Sequence, residues 1–137
     1  MRYLIDTNLL IDIIVEDNIS ADVDNILDNY ENTIYVCSEV VKEFIHLLQN
    51  GKVAPNKKIK ELDVFDFIEN ILGLKVKFIA KEHLRTLAKL TTVEGHNDPN
   101  DRLIIAQAIT EKIPLISSDR HFAKYTKMGL DFISNYR

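Results

Sequence analysis

The sequence predicts an α/β domain of three layers, with a central parallel sheet of four or five strands flanked by helices. Three observations predict it. Short β-rich runs alternate with longer stretches at helical spacing along the whole chain. The 137 residues, 46% of them hydrophobic, suffice for one ordinary core and leave little for a second, so residues 1–137 read as a single domain. Finally, four acids, Asp6, Glu43, Asp101 and Asp119, each fall at or just past a point where a buried element should end or begin.

Tyr3-Leu4-Ile5 is a short apolar strand stopped by Asp6-Thr7-Asn8, and Leu9 to Val15 has the density of a helix. A polar segment from Asp24 to Asn32 leads into Ile34-Tyr35-Val36-Cys37, the second strand, with Ser38 placed to cap the next helix. From Glu39 to Asn50, Val40, Val41, Phe44, Ile45, Leu47 and Leu48 recur at helical spacing and Gly51 supplies the stop. After the polar linker Lys52 to Lys58, another amphipathic helix carries Ile59, Leu62, Phe65, Ile68, Ile71 and Leu72 up to Gly73. Leu74 to Ala80 alternates like a strand with a more exposed face, and Lys81 to Leu90 returns to helical spacing. Glu94 to Pro99 is the strongest loop signal. It is followed by a helix over Asn100 to Lys112, a buried strand Pro114 to Ser117, a helix Arg120 to Lys127 and a last strand Leu130 to Ile133. Strands alternating with helices predict a parallel sheet wound by right-handed crossovers.

Composition removes several functional classes. No stretch of eighteen apolar residues occurs, and the N-terminus reaches Asp6 too soon for a signal peptide, so no membrane span is expected and a cytoplasmic location is. Cys37, the lone cysteine, has no disulfide partner and reads as a small buried side chain. A net charge of −4 argues against broad nonspecific nucleic-acid binding, although lysines and arginines gather locally, as at Arg120, Lys124 and Lys127. There is no Ser-centred elbow and no Gly-rich phosphate loop.

In a parallel sheet, residues following Ile5 and Ser118 emerge at the same carboxyl edge, where open α/β sheets bind ligands. Glu43 lies early in the helix that leaves that edge. Asp101 lies in the first turn of a helix running antiparallel to the strands, so its N-terminus returns there. Four carboxylates that close repel one another unless hard divalent cations neutralise them. Mg²⁺ or Mn²⁺ suits such a set, since no Cys/His group has zinc-ligand spacing. Ions held this way align a phosphodiester and lower the pKa of an attacking water, and no protein nucleophile is required. Each acid also has a plainer reading. Asp6 and Asp119 could cap helices, and Glu43 could be a solvated position beside an apolar band. Asp98-Pro99-Asn100-Asp101 looks like a helix start with Asp98 as cap and Asp101 reaching back. For Asp101 the cap and the metal ligand are compatible roles. His46, His83, His96 and His121 are scattered and read as surface or structural residues, with His96 the best placed to meet a substrate. Arg102 and Arg120 directly follow two key acids and read as their salt-bridge partners.

The opening Tyr3-Leu4-Ile5-Asp6-Thr7-Asn8, the segment Ser38-Glu39-Val40-Val41-Lys42-Glu43-Phe44, the run His96 to Ala108 and Leu115-Ile116-Ser117-Ser118-Asp119 together resemble the PIN-domain ribonucleases, above all the VapC-type toxins of bacterial toxin–antitoxin pairs. The resemblance spans nearly the whole chain. It implies a Rossmann-like PIN fold, with Mg²⁺ or Mn²⁺ held by Asp6, Glu43, Asp101 and Asp119 and with Asn8 and Asp98 as supporting polar residues. It further implies endonucleolytic cleavage of RNA, often tRNA or ribosomal RNA, a homodimer, and a cognate antitoxin that inserts a segment into the acidic groove. Asn100 departs from the family's usual Phe at a packing position.

Two other readings stay open on these residues. An acidic-site phosphatase of the haloacid dehalogenase type needs a second Asp two residues after its nucleophile, where this chain has Asn8, and a receiver domain needs a Lys after its last strand, where it has Ser134-Asn135-Tyr136. A non-catalytic RNA- or protein-binding module of PIN type would show the loss of a metal ligand, and all four acids are present.

Overall fold

The computed structural model describes residues 1–53 and 63–136. Five strands form one sheet: β1 (Arg2–Ile5), β2 (Thr33–Cys37), β3 (Lys75–Lys77), β4 (Leu115–Ser117) and β5 (Phe132–Ser134), in the spatial order β3-β2-β1-β4-β5. All neighbours are parallel. Leu4, Ile5, Val36, Leu115 and Ile116 are fully buried, as unbroken apolar runs must be when both faces of a parallel sheet are covered. The expected three-layer α/β architecture is the one observed.

The helices are α1 (Thr7–Val15), α2 (Ala21–Asp28), α3 (Ser38–Gln49), a short turn Val64–Asp66 that runs into a π-helical stretch Phe67–Ile71 (together α4), α5 (Lys81–Lys89), α6 (Pro99–Glu111) and the 3₁₀ segment α7 (Arg120–Met128). Leu9, Leu10, Val40, Phe44, Ile68, Ile104, Ile105, Phe122 and Tyr125 turn into the core. Of the helix expected before Gly73, the part carrying Ile59 and Leu62 lies outside the described residues.

Several expected boundaries move, each for a local reason. The polar segment after Val15 contains a helix, α2, started by the Ser20 hydroxyl accepting from the Val23 amide and favoured by Asp22 and Asp24 in its first turn. The third strand is three residues long rather than seven. Beyond Lys77 the backbone is satisfied by side chains: Gln107 donates to the carbonyls of Lys77 and Phe78, the Ile79 amide donates to Ser38 Oγ, and the Ala80 amide donates to His83 Nδ1. Ser38 therefore does not cap α3, a place taken by Cys37, whose Sγ accepts from the Glu39 amide. Cys37 is buried and free, and burial pushes its thiol up to about 11. The last strand begins two residues late because Leu130 is still tied to the end of α7 through the Tyr125 carbonyl.

The order of strands positions the site. From β1 the chain moves outward to β2 and β3, then returns to the other side of β1 for β4 and β5. The connections leaving β1 and β4 thus diverge, and the crevice outside their carboxyl ends is the topological switch point of the sheet.

Candidate active site

Asp6 stands at that switch point, one residue past β1 and only 3% exposed. One oxygen, Oδ1, accepts from the Leu9 amide at 3.0 Å and so caps α1. The other, Oδ2, accepts from the Ser117 hydroxyl at 2.5 Å, a length typical of a charge-assisted bond. The same Ser117 oxygen accepts from the Asp119 amide at 3.0 Å. A single hydroxyl at the end of β4 therefore links the two strand-end acids. Asp119 in turn caps α7 through Oδ1, which accepts from the His121 amide. The capping roles are real, and they leave the carboxylates at one edge.

Glu43 lies in the second turn of α3, half-buried, and its Oε2 accepts from Thr7 Oγ1 at 2.8 Å. Thr7 itself is buried beside Asp6. Asp101 sits in the first turn of α6, where Asp98 is the N-cap, accepting from the amides of Asn100 and Asp101. Rather than reaching back to complete a capping box, the Asp101 carboxylate takes His96 as its partner, with Nε2 3.3 Å from Oδ2. Asp98 and Asn8 are both exposed. Asp98 acts on the site by holding α6 and by its charge.

The electrostatics tie the acids into one group. Burial pushes the Asp6 carboxyl up to about 6, against the pull of its bonds from Ser117 and Leu9, and the charges of Asp101 and Asp119 add to the rise. Asp101 is pushed up to about 7, first by burial and then by the neighbouring charges of Asp98, Asp119 and Glu43. Near neutral pH such a cluster retains protons unless a cation replaces them. The donor set is carboxylate oxygen with one imidazole at its border, and it contains no thiolate, so it fits Mg²⁺ or Mn²⁺.

The histidine at that border is the chief departure from the sequence expectation. His96 is 5% exposed rather than on an outer loop surface. Its Nε2, together with a carboxylate oxygen each from Asp101 and Asp119, forms a set of atoms all within 4.8 Å of one another. His96 is wedged edge-on against Phe122 and Tyr125 and stacks on His121. Arg102 does not pair with Asp101. It donates to the carbonyls of Leu90 and Thr91 and to the Tyr125 hydroxyl. Arg120 stacks on the ring of Tyr136 instead of pairing with Asp119. Sequence reasoning also missed Thr7, Ser117 and Tyr125. The first two carried a signal, a hydroxyl residue next to or two before an acid at a strand end, whereas nothing local marks Tyr125.

Three solved structures share this fold over nearly their entire length. The chain covers 98% of itself and 98% of a VapBC2 chain from Rickettsia felis, crystallised bound to a DNA fragment from its promoter, with a TM-score of 0.67 and 18% identity. It covers the same shares of a chain in DNA-bound VapBC from Salmonella typhimurium (TM-score 0.69, 14% identity) and of one in VapBC-1 from nontypeable Haemophilus influenzae (TM-score 0.69, 18% identity). No individually curated protein matches the sequence. The family model described as PIN domain matches residues 3–128, a span holding all four acids and four of the five strands, and the chain belongs to the PIN-domain family.

Proposed function

We propose that the protein is a divalent-metal-dependent endoribonuclease and the toxin of a VapC-type toxin–antitoxin pair. The observation that carries the reading is the convergence of Asp6, Glu43, Asp101 and Asp119 at one edge, where burial first and neighbouring carboxylate charge second push Asp6 up to about 6 and Asp101 up to about 7 and give a hard cation protons to displace. Asp6, Glu43, Asp101 and Asp119 would hold Mg²⁺ or Mn²⁺. When bound, the ion supplies charge neutralisation at the phosphodiester and a lowered pKa for the attacking water.

The chain's own contribution is to fix the oxygens. Ser117 and the Leu9 amide leave Asp6 no freedom to rotate. Thr7 sets Glu43, and the α7 cap sets Asp119. Hydrolysis adds water across one P–O bond of RNA, so no covalent adduct with the protein forms. Asn8 and Asp98, exposed at the starts of α1 and α6, flank the crevice and are available to an incoming strand. The solved VapBC assemblies that share the fold are toxin–antitoxin structures, which supports an antitoxin partner here, and a homodimer accords with the same reading. Among the described residues no helix is long and apolar enough to cross a membrane.

The test is cleavage of total cellular RNA by purified protein with Mg²⁺, with Mn²⁺ and with EDTA, beside an Asp101→Asn variant of matched purity. Metal-dependent fragments that vanish in the variant are expected. Divalent binding without cleavage of any RNA pool would favour a non-catalytic binding module instead.

A further inference from the structure

A line of hydrogen bonds runs from Arg102 to the acid cluster. Arg102 is anchored by Nη2 on the Leu90 carbonyl at 3.2 Å and by Nη1 on the Thr91 carbonyl at 3.0 Å. Nη1 also donates to the Tyr125 hydroxyl at 3.1 Å. That hydroxyl lies 2.7 Å from His96 Nδ1, and His96 Nε2 lies 3.3 Å from Asp101 Oδ2. Donor counting fixes the direction of the whole line. Arg102 can only donate, so the phenolic oxygen accepts from it, and the phenol's own buried proton then has Nδ1 as its one acceptor among the described partners, a bond that an Nδ1–H would forfeit. Nδ1 must then be the acceptor of the ring, and a neutral ring carries its proton on Nε2. Nε2–H faces Asp101, with Asp119 farther away at 4.0 Å. A nitrogen that bears a proton has no lone pair for a cation.

We infer that His96, oriented by Tyr125 and Arg102, is a positioning residue that fixes the Asp101 carboxylate by donating from Nε2 and does not itself coordinate metal. Without the relay, the same atoms would read as a ligand set of one imidazole and two carboxylates. The relay separates these possibilities. Its two central members are buried, Tyr125 fully and His96 nearly so, which gives the hydrogen bond between them little competition from water. The inference rests on the metal-nuclease reading for its consequence, while the tautomer can be measured without metal or substrate.

Two measurements test it. The first is the ¹⁵N spectrum of the metal-free protein with labelled imidazoles at pH 8. His96 is expected as the Nε2–H tautomer with Nδ1 unprotonated, and the Tyr125→Phe variant, which removes the hydroxyl and keeps the ring, is expected to move the Nδ1 resonance toward that of an unbonded nitrogen while Nε2, still facing Asp101, keeps its proton. An Nδ1–H tautomer or a fully protonated ring in the wild-type protein would overturn the inference, whatever the protein's activity. The second is calorimetric binding of Mn²⁺ and Zn²⁺. His96→Gln, which keeps an N–H donor near the Nε2 position, is expected to hold Mn²⁺ within about threefold of wild type, and His96→Leu to lose about 10- to 100-fold, the usual cost of removing a group that orients a ligand. Zn²⁺, which imidazole suits, is expected to follow Mn²⁺ in both variants, with no extra loss where the imidazole is gone. Equal losses in His96→Gln and His96→Leu, with Zn²⁺ weakened more than Mn²⁺ in both, would make His96 a ligand and overturn the positioning role. If wild-type protein binds no divalent ion at all, the nuclease reading fails while the tautomer result still decides the relay.

Discussion

Both ends of the sheet gather acids, in different surroundings. At the amino end a hollow of about 720 Å³ is lined by Glu16, Asp17, Asp24 and Asp28 together with Ile13 and Leu27. Those four acids are exposed at helix ends and in the loop after α1, where water screens each from the others. At the carboxyl end Asp6 is buried and Asp101 and Asp119 are half-buried around one histidine. What separates the two groups of acids is convergence and desolvation.

The largest way to break the comparison is to neutralise one acid at each end. Asp6→Asn is expected to lower RNA cleavage by roughly 100-fold or more with the fold intact by circular dichroism, because it removes a ligand charge from a repulsive cluster at little change in volume. Asp24→Asn at the other end is expected to stay within about twofold. Equal losses at both ends would refute the distinction.

A second contrast lies in the pH dependence of stability without metal. Asp6 titrates near 3.8 in the unfolded chain and at about 6 in the folded one. Between those values the folded protein keeps a proton that the unfolded chain has lost, so stability falls as pH rises through the window. The loss is roughly 2–3 kcal/mol, for about two pKa units at ~1.4 kcal/mol each. Asp101 carries the decline on toward about 7. Urea denaturation in EDTA from pH 4 to 8 should show the slope, and Asp6→Asn should flatten it. Mn²⁺ at pH 8 should recover the loss, by about 2.7 kcal/mol at a hundred times its Kd.

Smaller effects sharpen the picture within the carboxyl end. Ser117→Ala strips Asp6 Oδ2 and the Asp119 amide of their shared partner. It is expected to cost about 1–3 kcal/mol in urea denaturation and to weaken Mn²⁺ binding measurably by calorimetry. Thr7→Val releases only Glu43 and keeps the shape of a buried side chain. Its cost should be about 1 kcal/mol or less, seen chiefly as a few-fold loss of cleavage.

Much of this molecule could be read from its residues. The run Tyr3-Leu4-Ile5 and the run Ile34 to Cys37 are apolar without interruption, as strands covered on both faces are, and both lie where expected. The four acids were visible because each falls near the end or the start of an element whose period is clear. What stayed hidden was decided by partners distant in sequence. The third strand stops early because Gln107, thirty positions on, takes the carbonyl of Lys77. The helix α2 was obscured because only Val23, Ile26 and Leu27 are apolar in it beside its alanine, too few to outweigh its acids. His96 looked like a loop residue because burial by Phe122 and Tyr125 from α7 leaves no trace near position 96.

The hydrogen bond from Ser117 to Asp6 spans 111 positions. A growing chain that has not yet delivered β4 holds Asp6 and Glu43 with neither Ser117 nor Asp119 to complete them. Contacts this distant in sequence form late, after the intervening loops have been closed. Until the sheet closes the emerging polypeptide therefore has no four-acid crevice: one hydroxyl, delivered late in the chain, joins its two strand-end acids.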